Sequence, residues 1–249
     1  MIADWLMQVF TRLPCSDHEF SNGSALPGPF LSEVMASVGS HATSPLSECI
    51  VLMTICSRAL AHKQVTDMEV LCGNSPREFT SRHDWLNSLL TSRLNSLKAN
   101  YPPASFTSDP MIIFAHLVAR TAIIYLCHIM EPLSKDVQTF SLVSNQQDRA
   151  VWAAQDISRL AGELENIGYF KAHTFTSLPI YLSAAKLRYH LERQKTQLHS
   201  SHSSVHKIEE SLKVSLGALR KLRSVNNLAN YYLHMVEADN INDICFRLE

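Results

Sequence analysis

The polar residues that invite a chemical reading are those set inside apolar runs. His116 and Arg120 lie four residues apart within Met111 to Met130, the longest apolar stretch of the chain, so on a helix they project from the same side. A guanidinium in such a place is costly to desolvate and needs a partner. Glu131, Asp109 or a backbone carbonyl would serve, and that structural pairing is the default reading. The sharper reading is that His116 and Arg120, with Tyr125, line a cavity for an anionic metabolite. Replacing Arg120 with Leu would then abolish a ligand response without unfolding the chain.

Other spacings suggest metal or covalent chemistry and carry less. Cys49 and Cys56 are seven apart, two turns along one helical face, and packing explains them better than half a zinc cluster, since neither basic residues nor further close cysteines accompany them. His199, His202 and His206 would converge on one side if their segment were helical, but the serines around them argue for flexibility and no carboxylate or Cys completes a shell. The sequence has no Gly-rich phosphate loop, no Gly-x-Ser-x-Gly elbow and no His-Glu-x-x-His helix. The acidic residues fall mainly on expected solvent faces and do not cluster as a magnesium site would require. The reading is a chain without a bond-making centre, neither catalytic nor metal-binding.

Composition points the same way. With 46% hydrophobic and 18% charged residues over 249 positions, the chain can bury a large core. Only 7 Gly disfavour turn-rich sandwiches and nucleotide-binding sheets. Lys and Arg number 22 against 23 Asp and Glu, so no strong field draws in a phosphate backbone, and direct nucleic-acid contact is not expected. Six scattered cysteines fit a reduced, intracellular setting. Met1 to Phe10 carries Asp4 and no basic leader, so no signal peptide is expected. His116, Arg120 and His128 interrupt the Met111 to Met130 run, which reads as a core helix and not a membrane span.

The elements that must position these residues are helices. Thr11 to Pro29 is rich in turn formers and reads as an ordered loop. Ser44 caps a helix near Leu46 to Lys63 with Pro45 at its first position, and apolar residues on every side of it predict central burial. From Ser81 to Lys98, Leu86, Leu89, Leu90, Leu94 and Leu97 form the packed face, with Asp84, Asn87, Ser88, Arg93 and Asn95 on the wet one. Tyr101-Pro102-Pro103 ends that helix. Asp109-Pro110 opens the central one, closed by Pro132. After a polar connection from Ser134 to Asn145, Ala150, Ala154, Ile157, Leu160, Ala161, Leu164 and Ile167 make one stripe. A loop near Gly168 to Thr176 precedes a helix over Leu178 to Gln194. Residues 196–204 read as a mobile Ser/His loop. Helices near Val205 to Leu222 and Asn227 to Ala238 follow, and 239–249 is a tail, alternating acidic residues with Ile241, Ile244 and Phe246. The expected fold is all-α, a single irregular bundle of about eight helices spanning 1–249, with buried apolar central helices.

A family resemblance rests on an ordered series of short motifs. Thr11 to Phe20 (Thr-Arg-Leu-Pro-Cys-Ser-Asp-His-Glu-Phe) is followed by Pro29-Phe30-Leu31, Ser57-Arg58-Ala59-Leu60-Ala61-His62, and Phe79 with Arg82-His83-Asp84-Trp85-Leu86. Then come Tyr101-Pro102, Asp109-Pro110-Met111, Tyr169-Phe170-Lys171-Ala172-His173 with Phe175, and Asn226-Asn227-Leu228-Ala229. Over roughly Thr11 to Glu237 the series resembles the C-terminal half of the fungal-specific transcription factor domain, or middle homology region, of fungal zinc-cluster transcription factors.

The resemblance implies an all-helical regulatory body in the nucleus. It would gate activation through contacts with other transcription regulators or coactivators, as a homodimer or in response to a small metabolite. It also implies that DNA binding and its zinc belong to a cysteine-rich module not found here, since this chain has no Cys-x-x-Cys pair. The alternative is a stand-alone interaction or small-molecule-binding protein derived from that family. If earlier helices of the domain are missing, a large apolar surface should be uncovered and the chain should associate.

Overall fold

The computed structural model describes residues 11–24, 26–36, 44–72, 78–102, 109–130, 140–196 and 202–238. Among these the protein is all-helical, as the pattern predicts: nine α-helices, two 3-10 turns and one isolated antiparallel bridge between Arg12 and Phe30. The helices cluster into two compact units, Met1–Ala122 and Ile123–Glu249.

In the first unit, α1 (Asp17–Ser21) and α2 (Leu31–Ala36) precede the long α3 (Pro45–Leu71) and α4 (Phe79–Asn100). The segment expected as a loop thus contains α1, closed by a reciprocal cap in which the Ser16 side chain accepts from the Glu19 N–H and Glu19 reaches back to the Ser16 backbone. The Leu13-Pro14-Cys15 run is a strap: the Leu13 N–H donates to the Pro29 carbonyl and the Leu31 N–H to that of Thr11. The Arg12 guanidinium lies over the Phe30 ring at 4.1 Å. Gly28 lets the two strands of this strap touch, because a Cβ there would stand 2.3 Å from the Leu13 carbonyl oxygen.

Ser44 caps α3 as expected, its Oγ accepting from the Ser47 N–H at 3.3 Å. The Asp109 carboxylate caps α5 (Pro110–Met130), accepting from the Met111 N–H at 2.8 Å. α5 is long and apolar enough to cross a membrane, yet 94% of its most apolar window is buried, as a core helix requires. Cys49 and Cys56 of α3 donate their thiols to the carbonyls of Met111 and Val118, at 3.5 and 3.7 Å. Both pairs step seven residues along both helices, so α3 and the first part of α5 run parallel at nearly constant separation. α3 departs from expectation: Val51, Leu52, Ile55, Ala59 and His62 are fully buried, whereas Leu46, Met53, Met68 and Leu71 of the other face are exposed.

In the second unit, α6 (Phe140–Ile167), α7 (Ser177–Thr196), α8 (His202–Leu222) and α9 (Asn227–Glu237) pack together. α6 and α8 both begin earlier than the apolar stripe and the Ser/His composition suggest. Helix propagation adds one hydrogen bond per residue once a turn exists, so both helices extend beyond the residues that pack. Of the expected Ser/His loop, residues 197–201 lie outside the described residues and His202 opens α8. Tail residues 239–249 and Glu131 lie outside them too. Ser158, Ser183 and Ser215 meet at the centre, with Ser158 and Ser215 Oγ 2.6 Å apart. Ser158 also donates to the Ser211 carbonyl at 2.8 Å and Ser183 to the Ala154 carbonyl at 2.7 Å. Small side chains let three helices approach, and neighbouring carbonyls satisfy the hydroxyls. Gly168, at φ +92°, ends α6.

Gly28→Ala should destabilise the protein by about 1–3 kcal/mol, since the added methyl meets backbone that cannot give way. Urea denaturation would measure it, and an unchanged midpoint would mean that the strap is dispensable.

Candidate functional site

The polar residues of the first unit form a buried network at one end of α3, α4 and α5. His116 and Arg120 are both buried. Arg120 Nη1 donates to the His116 carbonyl at 2.9 Å and lies 3.0 Å from His116 Nδ1. His116 Nε2 is 3.3 Å from the Tyr101 carbonyl. These contacts fit one tautomer, a neutral imidazole that accepts at Nδ1 and donates from Nε2. A backbone carbonyl, one of the three kinds of partner expected, accepts from Arg120, and His116 reaches the C-cap of α4. Tyr125 is buried five residues further along α5, in the second compact unit.

Pattern reading missed the charged residues of this network. Arg93, expected on the wet face of α4, is the largest fully buried side chain, and Glu48 is buried with it. Arg93 Nη1 lies 3.7 Å from Glu48 Oε1, and Nη2 donates to the Val34 carbonyl at the end of α2. Burial lowers the pKa of Arg93 and the Glu48 charge opposes that shift. Desolvation, then the charges of Asp109 and Glu48, push the Cys49 thiol up to about 12. Desolvation alone takes Cys56 to about 12. These thiols are packing groups that stay protonated. A signal was present: Leu86, Leu90, Arg93 and Leu97 step by four, three and four, so Arg93 occupies a core position in the apolar stripe.

A second cluster joins two motif segments. His62 of α3 lies against Phe79, ring centroids 4.8 Å apart, and Phe79 stacks on His83 at 5.6 Å. Arg82 holds Glu69 through two hydrogen bonds, 3.1 and 2.7 Å, and the Arg58 guanidinium lies 5.4 Å from the Trp85 ring. The Ser57 to His62 and Phe79 to Leu86 motifs are thus the two sides of one α3–α4 interface. Burial, then the neighbouring His83 and Arg82 charges, lower the pKa of His62 to about 4 against an opposing pull from Glu69. In the second unit Asn226 caps α9 through the Leu228 N–H and donates to the Thr174 carbonyl, at 2.9 and 2.6 Å. This links the Tyr169 to Phe175 and Asn226 to Ala229 motifs in the same way.

No group of three or more His, Cys, Asp or Glu among the described residues is placed to hold a metal. Of the three histidines considered for one, His199 lies outside the described residues, while His202 and His206 are on α8. The second unit carries two open clefts: one of about 410 Å³ between α6 and α8, beside Trp152, Lys207 and Val214, and one of about 530 Å³ floored by Leu191, Leu212, Leu216 and Val236.

Buried polar pairs that fasten helices, with motif residues at their junctions, are the geometry of a scaffold, and relatives give the scaffold its family. The chain is 34% identical over 229 residues to the citrinin biosynthesis transcriptional activator of Monascus purpureus, covering 92% of this chain and 38% of that protein. It is 30% identical over 230 residues to the pigment biosynthesis transcriptional activator of Monascus ruber, covering 92% and 40%. To the tropolone cluster transcription factor of Talaromyces stipitatus it is 31% identical over 228 residues, covering 90% and 39%. The chain is homologous to part of the fungal cluster-specific transcription factors. It spans about 40% of the length of these curated relatives. No protein-family model and no solved structure matches it. Several of the colinear motifs are structural junctions: a strap, an α3–α4 interface, and the Asn226 cap of α9 held to Thr174.

Removing Arg93 as Arg93→Met leaves Glu48 buried without its guanidinium and should cost about 3–5 kcal/mol in chemical denaturation, part of it recovered in Glu48→Gln/Arg93→Met. His62 is protonated in the unfolded chain below pH 6.5 but in the folded chain only near 4. The unfolded state therefore binds the extra proton in this window, and stability falls as pH drops from about 6.5 to 4, by up to about 3 kcal/mol. His62→Gln should flatten that slope in urea titrations at stepped pH, and a slope equal to the wild type would remove His62 as its source.

Proposed function

We propose that this chain is a regulatory domain of a fungal zinc-cluster transcription factor, controlling transcription by RNA polymerase II through contacts with other regulators or coactivators in the nucleus. The observation that carries the reading is similarity over 90–92% of the chain to proteins named as transcriptional activators or transcription factors of biosynthetic clusters. In this reading DNA binding and its zinc are supplied by a module outside these residues. A net charge of −1 supports that division, since the chain offers no electrostatic footprint for a phosphate backbone. The role is regulatory and not enzymatic, in keeping with relatives named for transcription. Small-metabolite control, as part of the same reading, acts through His116, Arg120 and Tyr125. What supports this is an arginine held on the most apolar helix, where desolvation makes its retention expensive.

The test is a fusion of this chain to a heterologous DNA-binding domain over a reporter. Reporter output should change relative to the DNA-binding domain alone, while the chain by itself should show no salt-sensitive retardation of duplex DNA. Output indistinguishable from the DNA-binding domain alone would refute the regulatory role. Arg120→Leu, folded by circular dichroism, should lose a metabolite-dependent change in output; an unaltered metabolite response in that folded variant would rule out the effector role of the buried pair.

A further inference from the structure

Arg58 and His62 are four apart on α3, so their side chains leave the helix on one side, one turn from each other. Each ends in a buried nitrogen that meets no acceptor among the described residues, Nη1 of Arg58 and Nε2 of His62. His62 is wholly buried. Its Nδ1 accepts from Arg82 Nε at 3.4 Å, so in the neutral ring the proton sits on Nε2. Arg82 itself is neutralised by Glu69 at 2.7 Å. No carboxylate of the described residues does the same for Arg58: its guanidinium rests 5.4 Å from the Trp85 ring, and burial alone lowers its pKa. Arg12, Arg82, Arg93 and Arg120 of the same unit each donate to a carbonyl or a carboxylate. Arg58 forms no such bond among the described residues.

We infer that Arg58 Nη1 and His62 Nε2 hold a small monovalent anion, chloride being the simplest, in the junction between α3 and α4. A buried donor left without an acceptor loses more than an ordinary hydrogen bond returns. Two such donors, one of them charged, stand one turn apart where the Ser57 to His62 and Phe79 to Leu86 segments meet. A water molecule would accept from both and leave the guanidinium uncompensated, whereas an anion accepts from both and supplies the missing charge. The Phe79 and His83 rings lie 4.8 and 5.8 Å from that of His62, so the surroundings are poor in competing water and the attraction is strong. Single N–H groups from two side chains present a point and not a fork, which suits a one-atom acceptor better than the paired oxygens of a carboxylate. The site is separate from His116 and Arg120 and concerns the α3–α4 joint, so it stands or falls apart from the regulatory role.

The experiment uses the full chain near neutral pH, where the His62 ring is uncharged, in sodium chloride and in sodium gluconate of equal ionic strength, so that screening is the same in both. The urea midpoint should rise with chloride and level off, the folded-to-unfolded ratio gaining about tenfold when chloride stands at ten times its dissociation constant. Gluconate should give no such saturating rise. Arg58→Met should abolish the chloride increment, and His62→Phe should shrink it. Should neither variant fold, anomalous diffraction from wild-type crystals soaked in bromide decides: a peak should lie in contact with Arg58 Nη1 and His62 Nε2. Equal midpoints in the two salts, or no bromide at the pair, overturn the proposal and leave a water as the shared acceptor. A chloride increment undiminished in Arg58→Met overturns it equally, since the anion then binds elsewhere.

Discussion

Buried side-chain donors in this protein are satisfied largely by the backbone carbonyls of neighbouring elements, and the placing of its helices depends on that. Each helix already uses its carbonyls once along its own axis, but a carbonyl has a second lone pair to offer. Cys49 and Cys56 use those of Met111 and Val118, Ser47 that of Pro14, Arg93 that of Val34, His116 that of Tyr101, and Ser158 and Ser183 those of Ser211 and Ala154. Such a contact fixes both distance and register, because only one rotation and one height bring the hydrogen to the oxygen. Hydrophobic burial drives the helices together without choosing among nearby registers. The polar contacts make that choice, and they do so at modest net energy, since unmade they would each cost more than they return.

Residues that look chemical in the sequence also serve this constraint. A histidine and an arginine four apart on an apolar helix have the elements of an anion site, and here the guanidinium also donates to a carbonyl of its own helix while the imidazole meets the end of α4. The two cysteines seven apart meet carbonyls instead of metal, and burial holds their thiols protonated. Three serines converge on one another and on backbone carbonyls, which brings α6, α7 and α8 close. Several of the motif segments follow the same logic and meet at joints between elements.

How much of this the sequence disclosed depends on whether local chemistry or distant packing decides. The end of α4 and the start of α5 are legible, because proline and capping aspartate act within a few residues. Helix α1 was missed although its Ser16 and Glu19 spell out a reciprocal cap, since turn formers on both sides dominated the reading. Arg93 is buried where a charged residue on a helix ordinarily faces solvent. The stripe spacing it occupies pointed inward, but its partners Glu48 and Val34 lie 45 and 59 residues away and leave no trace in local pattern. His116 and Arg120 were correctly expected to be buried, while which carbonyls would receive them was beyond any periodicity.

Helices α3 and α5 show the limit most clearly, for among the described residues the apolar side chains of α5 are nearly all buried whereas Leu46, Met53, Met68 and Leu71 of α3 are exposed. Hydropathy states that a face avoids water and says nothing of what shields it. Full burial of a Leu or Met side chain is worth about 1.5–3 kcal/mol, so the partly exposed residues of α3 hold several kcal/mol per chain that folding alone has not used. Association costs roughly 4–15 kcal/mol in lost translation, rotation and side-chain freedom. The two quantities are of similar size. The gain and the cost therefore nearly cancel for an exposed apolar face of this size, and shape and polar matching carry the difference.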